Sequence, residues 1–434
     1  MLLGAAFLWL PFAAQRLERA EAAGGLSGRG ILLVATLARL ALLPLPPTLS
    51  DDALRYLWDG KVATAGSNPY ALSPDAAELA SLRNKNWQRL PHRDVPTVYP
   101  PLAITAFSIA TRLPFPLLGW KTLAALADLA TCALLLVLAR RLGIPAARTV
   151  WYAWNPLVVL EVAGMGHVDA LGVAAMVGTV FSLTRSARGR WAGAAAWAAA
   201  GVLAKLAPLA ALPLWSRQSG RPWRFLAAAL GLVALAVLPV LAATGGVPPG
   251  LIRYGVSWEF NGPLFEPLWR LLDAAGAAPA LKTLLDRVKE WTGAYEAWNS
   301  LYPYLYPQLL AKALLGLGML AAVAASLRDR DPVAGTGKLF GALLLLSATV
   351  YPWYLLWVLP WAALARHTAW RALSGLILLA YLPKIAGVPM MPWVFASIWV
   401  PFAVLLLAGR GWALTPRPPL PPPPVLPGEG EEES

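Results

Sequence analysis

The chain has 434 residues, of which 58% are hydrophobic and only 14% charged, and its net charge is +13. A water-soluble domain carries about 25% charged residues, so with a mean hydropathy of +0.56 water is not the main solvent of this chain. The positive balance does not mark a nucleic-acid binder, because the arginines fall in short clusters between apolar runs, where orientation signals belong. The single cysteine, Cys132, lies inside an apolar run, which excludes disulfides and cysteine-based metal sites.

A bilayer core takes about 20 helical residues with every backbone group paired internally, so each apolar run reads as a helix. Residues 1–14 have neither a basic leader nor a small-residue cleavage site, and read as a short membrane helix rather than a signal peptide. Arg16, Arg19 and Arg29 follow. With that connection cytoplasmic, the run 31–49 delivers Asp51 and Asp52 to the outer face. Residues 50–116 then form a long outer segment. It holds an amphipathic piece (52–65), a turn at Asn68-Pro69-Tyr70, the sequence Tyr99-Pro100-Pro101, and an apolar stretch (102–111) too short to span, which lies along the interface.

The run 117–138 returns to Arg140 and Arg141. The run 150–162 goes out, residues 164–169 turn at the outer face, and 170–183 comes back to Arg185, Arg188 and Arg190. The run 191–215 has arginine clusters at both ends, and a single span cannot begin and end on one face. It must be two short helices with an outer turn at Lys205-Leu206-Ala207-Pro208. The run 339–364, bounded by Lys338 and Arg366, repeats this pattern around Tyr351-Pro352-Trp353-Tyr354. Between them, 225–242 leads to a second long outer segment, 243–305, and 306–327 returns. Runs 372–386 and 393–409 complete an all-α polytopic bundle of about 13 helices, N-terminus outside and C-terminus inside. Three parts result: an extra N-terminal helix and loop (1–30), a transmembrane catalytic domain (31–410), and a proline-rich then acidic cytoplasmic tail (411–434) expected to be disordered.

Four polar groups fall on the outer face under this topology: Asp51/Asp52/Arg55, His167/Asp169, Lys205, and Tyr351/Trp353/Tyr354. A base, a cation and aromatic rings on one interface are what glycosyl transfer from a lipid phosphate needs. A carboxylate deprotonates the attacking hydroxyl, a cation neutralises the departing phosphate, and rings stack on sugars or line a lipid groove. Each group also has a plainer reading. One of the aspartates caps the helix that begins near Ala53, and Asp169 caps another. Lys205 snorkels, and the aromatics belong to an interfacial belt. With three histidines in the chain an imidazole metal site is not expected, although a carboxylate-bound divalent cation is not excluded. Arg39 and Asp128 both lie about 16 Å below the outer boundary, a depth at which charges must pair, and they are expected to pair across adjacent helices.

In order, Asp51-Asp52-x-x-Arg55-Tyr56, Asn68-Pro69-Tyr70, Tyr99-Pro100-Pro101-Leu102, Trp154-Asn155-Pro156, Gly166-His167-x-Asp169, Lys205-x-x-Pro208 and Tyr351-Pro352-Trp353-Tyr354 resemble the bacterial polyprenol-phosphate-mannose-dependent mannosyltransferases. These are GT-C fold enzymes close to glycosyltransferase family 87, and the order also looks like that of the catalytic subunit of GPI mannosyltransferase I. The resemblance covers about residues 31–405. It implies an inverting transfer of a hexose, mannose first, from a polyprenyl-phosphate sugar to a lipid-linked or cell-envelope glycan, on the extracytoplasmic side of the plasma membrane. The family's acidic base maps onto Asp52 or Asp51, with Asp52 preferred because it sits on the first helical turn with Arg55 one turn on. Lys205 and Arg55 are then candidate phosphate ligands. Asn68, Tyr70, Tyr99, His167, Asp169, Tyr351, Trp353 and Tyr354 are candidate substrate contacts. The eukaryotic relatives carry Asp-x-Asp where this chain has adjacent carboxylates, which leaves the base and any divalent metal open. The alternatives from other classes are a transporter or flippase of polyprenyl-linked glycans and a non-catalytic subunit of an envelope-assembly complex.

Overall fold

The computed structural model describes residues 2–22, 28–185, 189–409 and 411–412. Within these residues the chain is helical, and the only β-type pairing described is the isolated bridging of Phe260 and Asn261 with Thr349. Five helices are long and apolar enough to cross a membrane: Pro116–Arg141, Pro222–Thr244, Pro307–Ser326, Thr368–Ala386 and Met390–Ala408. Leu235, Leu238, Leu317 and Leu320 project outward from the second and third of these, as side chains facing lipid would. The expected tail lies outside the described residues, apart from Gly411 and Trp412.

Two sequence boundaries need correction. The first helix runs Leu2–Ala22 rather than stopping at residue 14. Its end is anchored by Glu21, whose two carboxylate oxygens accept from the backbone N–H groups of Ala146 and Ala147, each at 2.9 Å. The second helix is Gly28–Leu42 and does not reach residue 49. Pro44, Pro46 and Pro47 supply no N–H and push their predecessors out of the helical region. The carbonyls this frees are taken up by Lys121, whose Nζ donates to Leu42, Leu43 and Leu45 at 3.2, 2.8 and 2.5 Å.

The expected breaks are present and aim at one place. Helix Arg190–Ala204 stops at Lys205, which is extended (φ −154°, ψ 133°), and the chain resumes as a 3-10 turn and helix Leu212–Gln218. Helix Pro332–Leu346 stops before an extended stretch that leads to a 3-10 turn, Pro352–Trp357. The backbone of that stretch pairs with Phe260, through Phe260 N to Ala348 O (3.0 Å) and Val350 N to Phe260 O (2.7 Å), which fastens the second long loop beside Tyr351. Gly262 is required there, since a Cβ would sit 2.6 Å from the Ser347 carbonyl oxygen. The run 150–162 is itself divided at Asn155-Pro156, and its second piece widens into a π-turn, Leu160–Gly164. Such turns frequently occur at functional sites, and this one turns Glu161 into the interior.

Arg39 and Asp128 pair as expected. Arg39 Nε lies 2.8 Å from Asp128 Oδ2 and its NH2 2.7 Å away, while Tyr152 OH donates to Asp128 Oδ1 at 2.6 Å. All three side chains are buried, so the pair fastens the second helix to Pro116–Arg141 within the bundle.

Candidate active site

The chain leaves the proline-rich stretch at Ser50, and helix Asp52–Thr64 begins at once. Its N-terminus is capped by neither carboxylate, contrary to expectation. The Ser50 hydroxyl accepts from Asp52 N at 3.2 Å instead. Both aspartates are therefore free for other partners, and they find different ones. Asp51 faces two cations, with Oδ1 2.6 Å from Arg89 and Oδ2 3.3 Å from Lys384. Asp52 turns inward, and its Oδ2 lies 3.8 Å from Nδ1 of His167. Burial pushes its carboxyl up to about 6; Lys205 opposes the shift and Asp169 adds to it.

His167 follows Gly166, whose φ of +78° suits glycine and whose carbonyl is pinned by Trp120 Nε1 at 2.7 Å. The imidazole is buried flat against Trp353, with ring centres 3.8 Å apart and planes 13° apart. Trp353 in turn stacks on Tyr351 at 4.5 Å. On the far side, His167 Nε2 lies 3.2 Å from Glu161 Oε2, and Tyr381 OH donates to both Glu161 oxygens at 2.9 and 3.0 Å. A buried line of polar groups thus runs behind Asp52.

Asp169 opens helix Asp169–Leu183 and holds the cation of the site. Its Oδ2 lies 3.3 Å from Lys205 Nζ, and its Oδ1 accepts from Trp357 Nε1 at 2.7 Å. The ammonium also faces the rings of Tyr354, Tyr99 and Trp357 at 5.2, 5.8 and 6.0 Å. A cation at a helix break, tethered on one side and open on the other, can receive an anion without reorganising.

Asp51, Asp52, Lys205, Tyr99, Tyr351, Trp353 and Tyr354 all line one cavity of about 470 Å³. His167 and Asp169 lie behind its wall, against Trp353 and Lys205 respectively. Asn68 and Tyr70 are not among the lining residues: Asn68 Oδ1 accepts from Tyr70 N at 2.9 Å and closes a turn, and Tyr70 packs against the cluster that contains Ala53 and Tyr56. Arg55 lines the cavity, yet its guanidinium is engaged by Asp59 (2.8 Å) and by the carbonyls of Pro91, His92 and Val95 at 3.2, 2.8 and 2.7 Å. That geometry fastens a turn and leaves little for a phosphate.

Glu161 is a site residue that sequence reading passed over, although a lone carboxylate in the run 150–162 carried the same signal as Asp128. Tyr254, Trp357, Tyr381 and Lys384 gave no signal, because nothing local says which wall they join. Among the described residues, no three His, Cys, Asp or Glu side chains gather as a metal ion requires. The Asp51 and Asp169 oxygens are already committed to Arg89, Lys384, Lys205 and Trp357. The residues present do not fit a metal.

A carboxylate, a tethered cation and aromatic walls around one cavity are the groups expected for glycosyl transfer. The chain belongs to the MptA_B family: the family model described as alpha-(1->6)-mannopyranosyltransferase, N-terminal domain, matches residues 1–217, half of the chain. It is also 25% identical, over 89% of its length and 75% of the relative's, to a Mycolicibacterium smegmatis protein named a probable alpha-(1->6)-mannopyranosyltransferase. No solved structure matches. The protein is a mannosyltransferase, and the transporter and scaffold alternatives give way to that membership.

Proposed function

We propose that the protein transfers mannose from a polyprenyl-phosphate sugar to a lipid-linked or cell-envelope glycan, making an α-(1→6) bond with inversion. The observation that carries this reading is the opening of Asp52 and Lys205 onto one cavity. Asp52 takes the proton from the acceptor hydroxyl, whose oxygen attacks the anomeric carbon. The bond from that carbon to the phosphate oxygen breaks, and Lys205 neutralises the departing phosphate. A base with its carboxyl near 6 is ionised at neutral pH and still accepts a proton. Asp51, held by two cations, is less available. Tyr99, Tyr351, Trp353 and Tyr354 supply faces for the sugar or the first part of the lipid.

The same reading places the cavity on the extracytoplasmic side of the plasma membrane, in a GT-C arrangement of about 13 helices. The arginine pattern and the broken segments at Lys205 and Tyr351 support it. Residues 31–410 form the catalytic domain, preceded by the extra helix of 1–30 and followed by the tail 411–434. The test is purified protein in nanodiscs with labelled polyprenyl-phosphate mannose, glucose and arabinose, offered membrane lipid extracts. Transfer from the mannose donor supports the assignment, and transfer from none of the three overturns it.

A further inference from the structure

The cavity wall divides by contact into two parts. One surrounds Lys205 and includes Tyr99, Tyr354 and Trp357. The other joins the two long loops and meets the first through the Tyr254 and Tyr354 hydroxyls, 2.7 Å apart, while the His92 and Trp258 rings are not among those that Lys205 faces. In it the His92 ring lies 4.2 Å from that of Trp258, at 45°, and Trp258 lies 5.4 Å from Tyr254. His92, Val95, Pro96, Leu251, Tyr254 and Trp258 all line the cavity.

This second wall is built deliberately. His92 adopts φ +49°, a left-handed conformation that costs a non-glycine residue energy and persists only where surroundings impose it. The imposing group is Arg55, whose buried fork grips the carbonyls of Pro91, His92 and Val95 while Asp59 holds the fork itself. The helix Pro249–Ser257 is docked on the same turn, because Gly250 packs directly on the Pro96 and Thr97 carbonyls, where a Cβ would collide. Arg253 adds a contact to Asp94 at 3.4 Å.

We infer that the His92–Trp258 wall is the acceptor subsite and binds the apolar face of a pyranose, the terminal mannosyl residue of the glycan to be extended. This rests on the proposed transfer reaction. In an inverting displacement the attacking hydroxyl and the leaving phosphate lie on opposite sides of the anomeric carbon. The phosphate belongs with Lys205, so the acceptor belongs to the His92–Trp258 wall, where the nearby guanidinium of Arg55 is already engaged by Asp59 and three carbonyls. Burial and the nearby Arg55 lower the His92 pKa, so its ring is neutral at physiological pH and offers an uncharged face. Arg55 is thereby a positioning residue for this wall.

The test is donor-free binding of methyl α-D-mannopyranosyl-(1→6)-α-D-mannopyranoside to the full chain in nanodiscs, read by saturation-transfer NMR, beside the KM for polyprenyl-phosphate mannose. Trp258→Ala is expected to weaken disaccharide binding about tenfold and to leave the donor KM within about twofold. Trp258→Phe, which keeps a ring, is expected to lose less, which separates a lost ring from a lost fold, and His92→Ala, which removes the other ring of the pair, is expected to weaken the disaccharide as well. Arg55→Lys, which keeps the charge but not the fork, is expected to weaken the disaccharide without moving the donor KM. No disaccharide binding by the wild type, unchanged binding by Trp258→Ala, or a rise in donor KM alone overturns the inference. A wild type that binds the disaccharide through Trp258 but accepts no polyprenyl-phosphate sugar overturns the proposed reaction instead.

Discussion

The Oδ2 atom of Asp52 lies 3.8 Å from Nδ1 of His167, whose ring is fixed flat on Trp353 and backed by Glu161. An imidazole that cannot turn holds its neighbour's environment constant. The adjacent carboxylate, Asp51, sits instead between Arg89 and Lys384 at the cavity wall. One residue of separation in the chain thus becomes a division of chemistry.

The pH dependence follows from that placement. Asp52 must be ionised to accept a proton, so kcat/KM should fall on an acidic limb with its midpoint near 6. The fold holds this carboxyl more protonated than the unfolded chain, where it titrates at 3.8. Stability should therefore drop as pH rises from 3.8 to about 6, and the loss is complete above that. Asp52→Asn removes this effect and should melt above the wild type at pH 7, with the difference gone near pH 4. A pH series of melting curves and initial rates checks both parts.

Lys205 and Asp169 form a half-buried pair in which only Lys205 reaches the cavity. Lys205→Met leaves a buried carboxylate unpaired, a change that costs about 3–5 kcal/mol. The double variant with Asp169→Asn should recover most of the lost melting temperature and none of the activity. Recovery of turnover by the double variant would show that Lys205 serves the fold alone.

Arg39 and Asp128 make the opposite case. Neither residue of their pair lines the cavity. Arg39→Met should destabilise by about 3–5 kcal/mol, and Arg39→Met with Asp128→Leu by much less. The rate per folded molecule should stay within about twofold in both, measured after correcting for the folded fraction.

Stereochemistry offers a separate check. An α-linked product formed with inversion requires a β-configured donor. The β-anomer of polyprenyl-phosphate mannose should serve and the α-anomer should not, as NMR of the product's anomeric proton will show.

Much of this site was legible in the sequence for a topological reason. Arginine clusters at both ends of 191–215 and 339–364 demanded breaks, and the breaks fall beside Lys205 and Tyr351. Intramembrane charges must pair, which made Arg39 and Asp128 readable. What stayed hidden depends on where a side chain turns after the backbone is set. Arg55 looked available for phosphate because the carbonyls it grips are 36 to 40 residues away. Asn68 looked like a contact because a turn residue and a ligand share one composition. Trp258 and Tyr254 lie in a long loop whose docking on the turn at 91–97 leaves no periodic trace.

The most direct test compares two neighbouring carboxylates. Initial rates of mannosyl transfer from polyprenyl-phosphate mannose should be measured for Asp52→Asn and Asp51→Asn in nanodiscs. Loss of about 10³-fold in Asp52→Asn is expected, with Asp51→Asn, a partly exposed ion-pair partner, within about fivefold of the wild type. A dead Asp51→Asn beside an active Asp52→Asn would contradict the assignment of the base, and two active variants would contradict a carboxylate base at this position altogether.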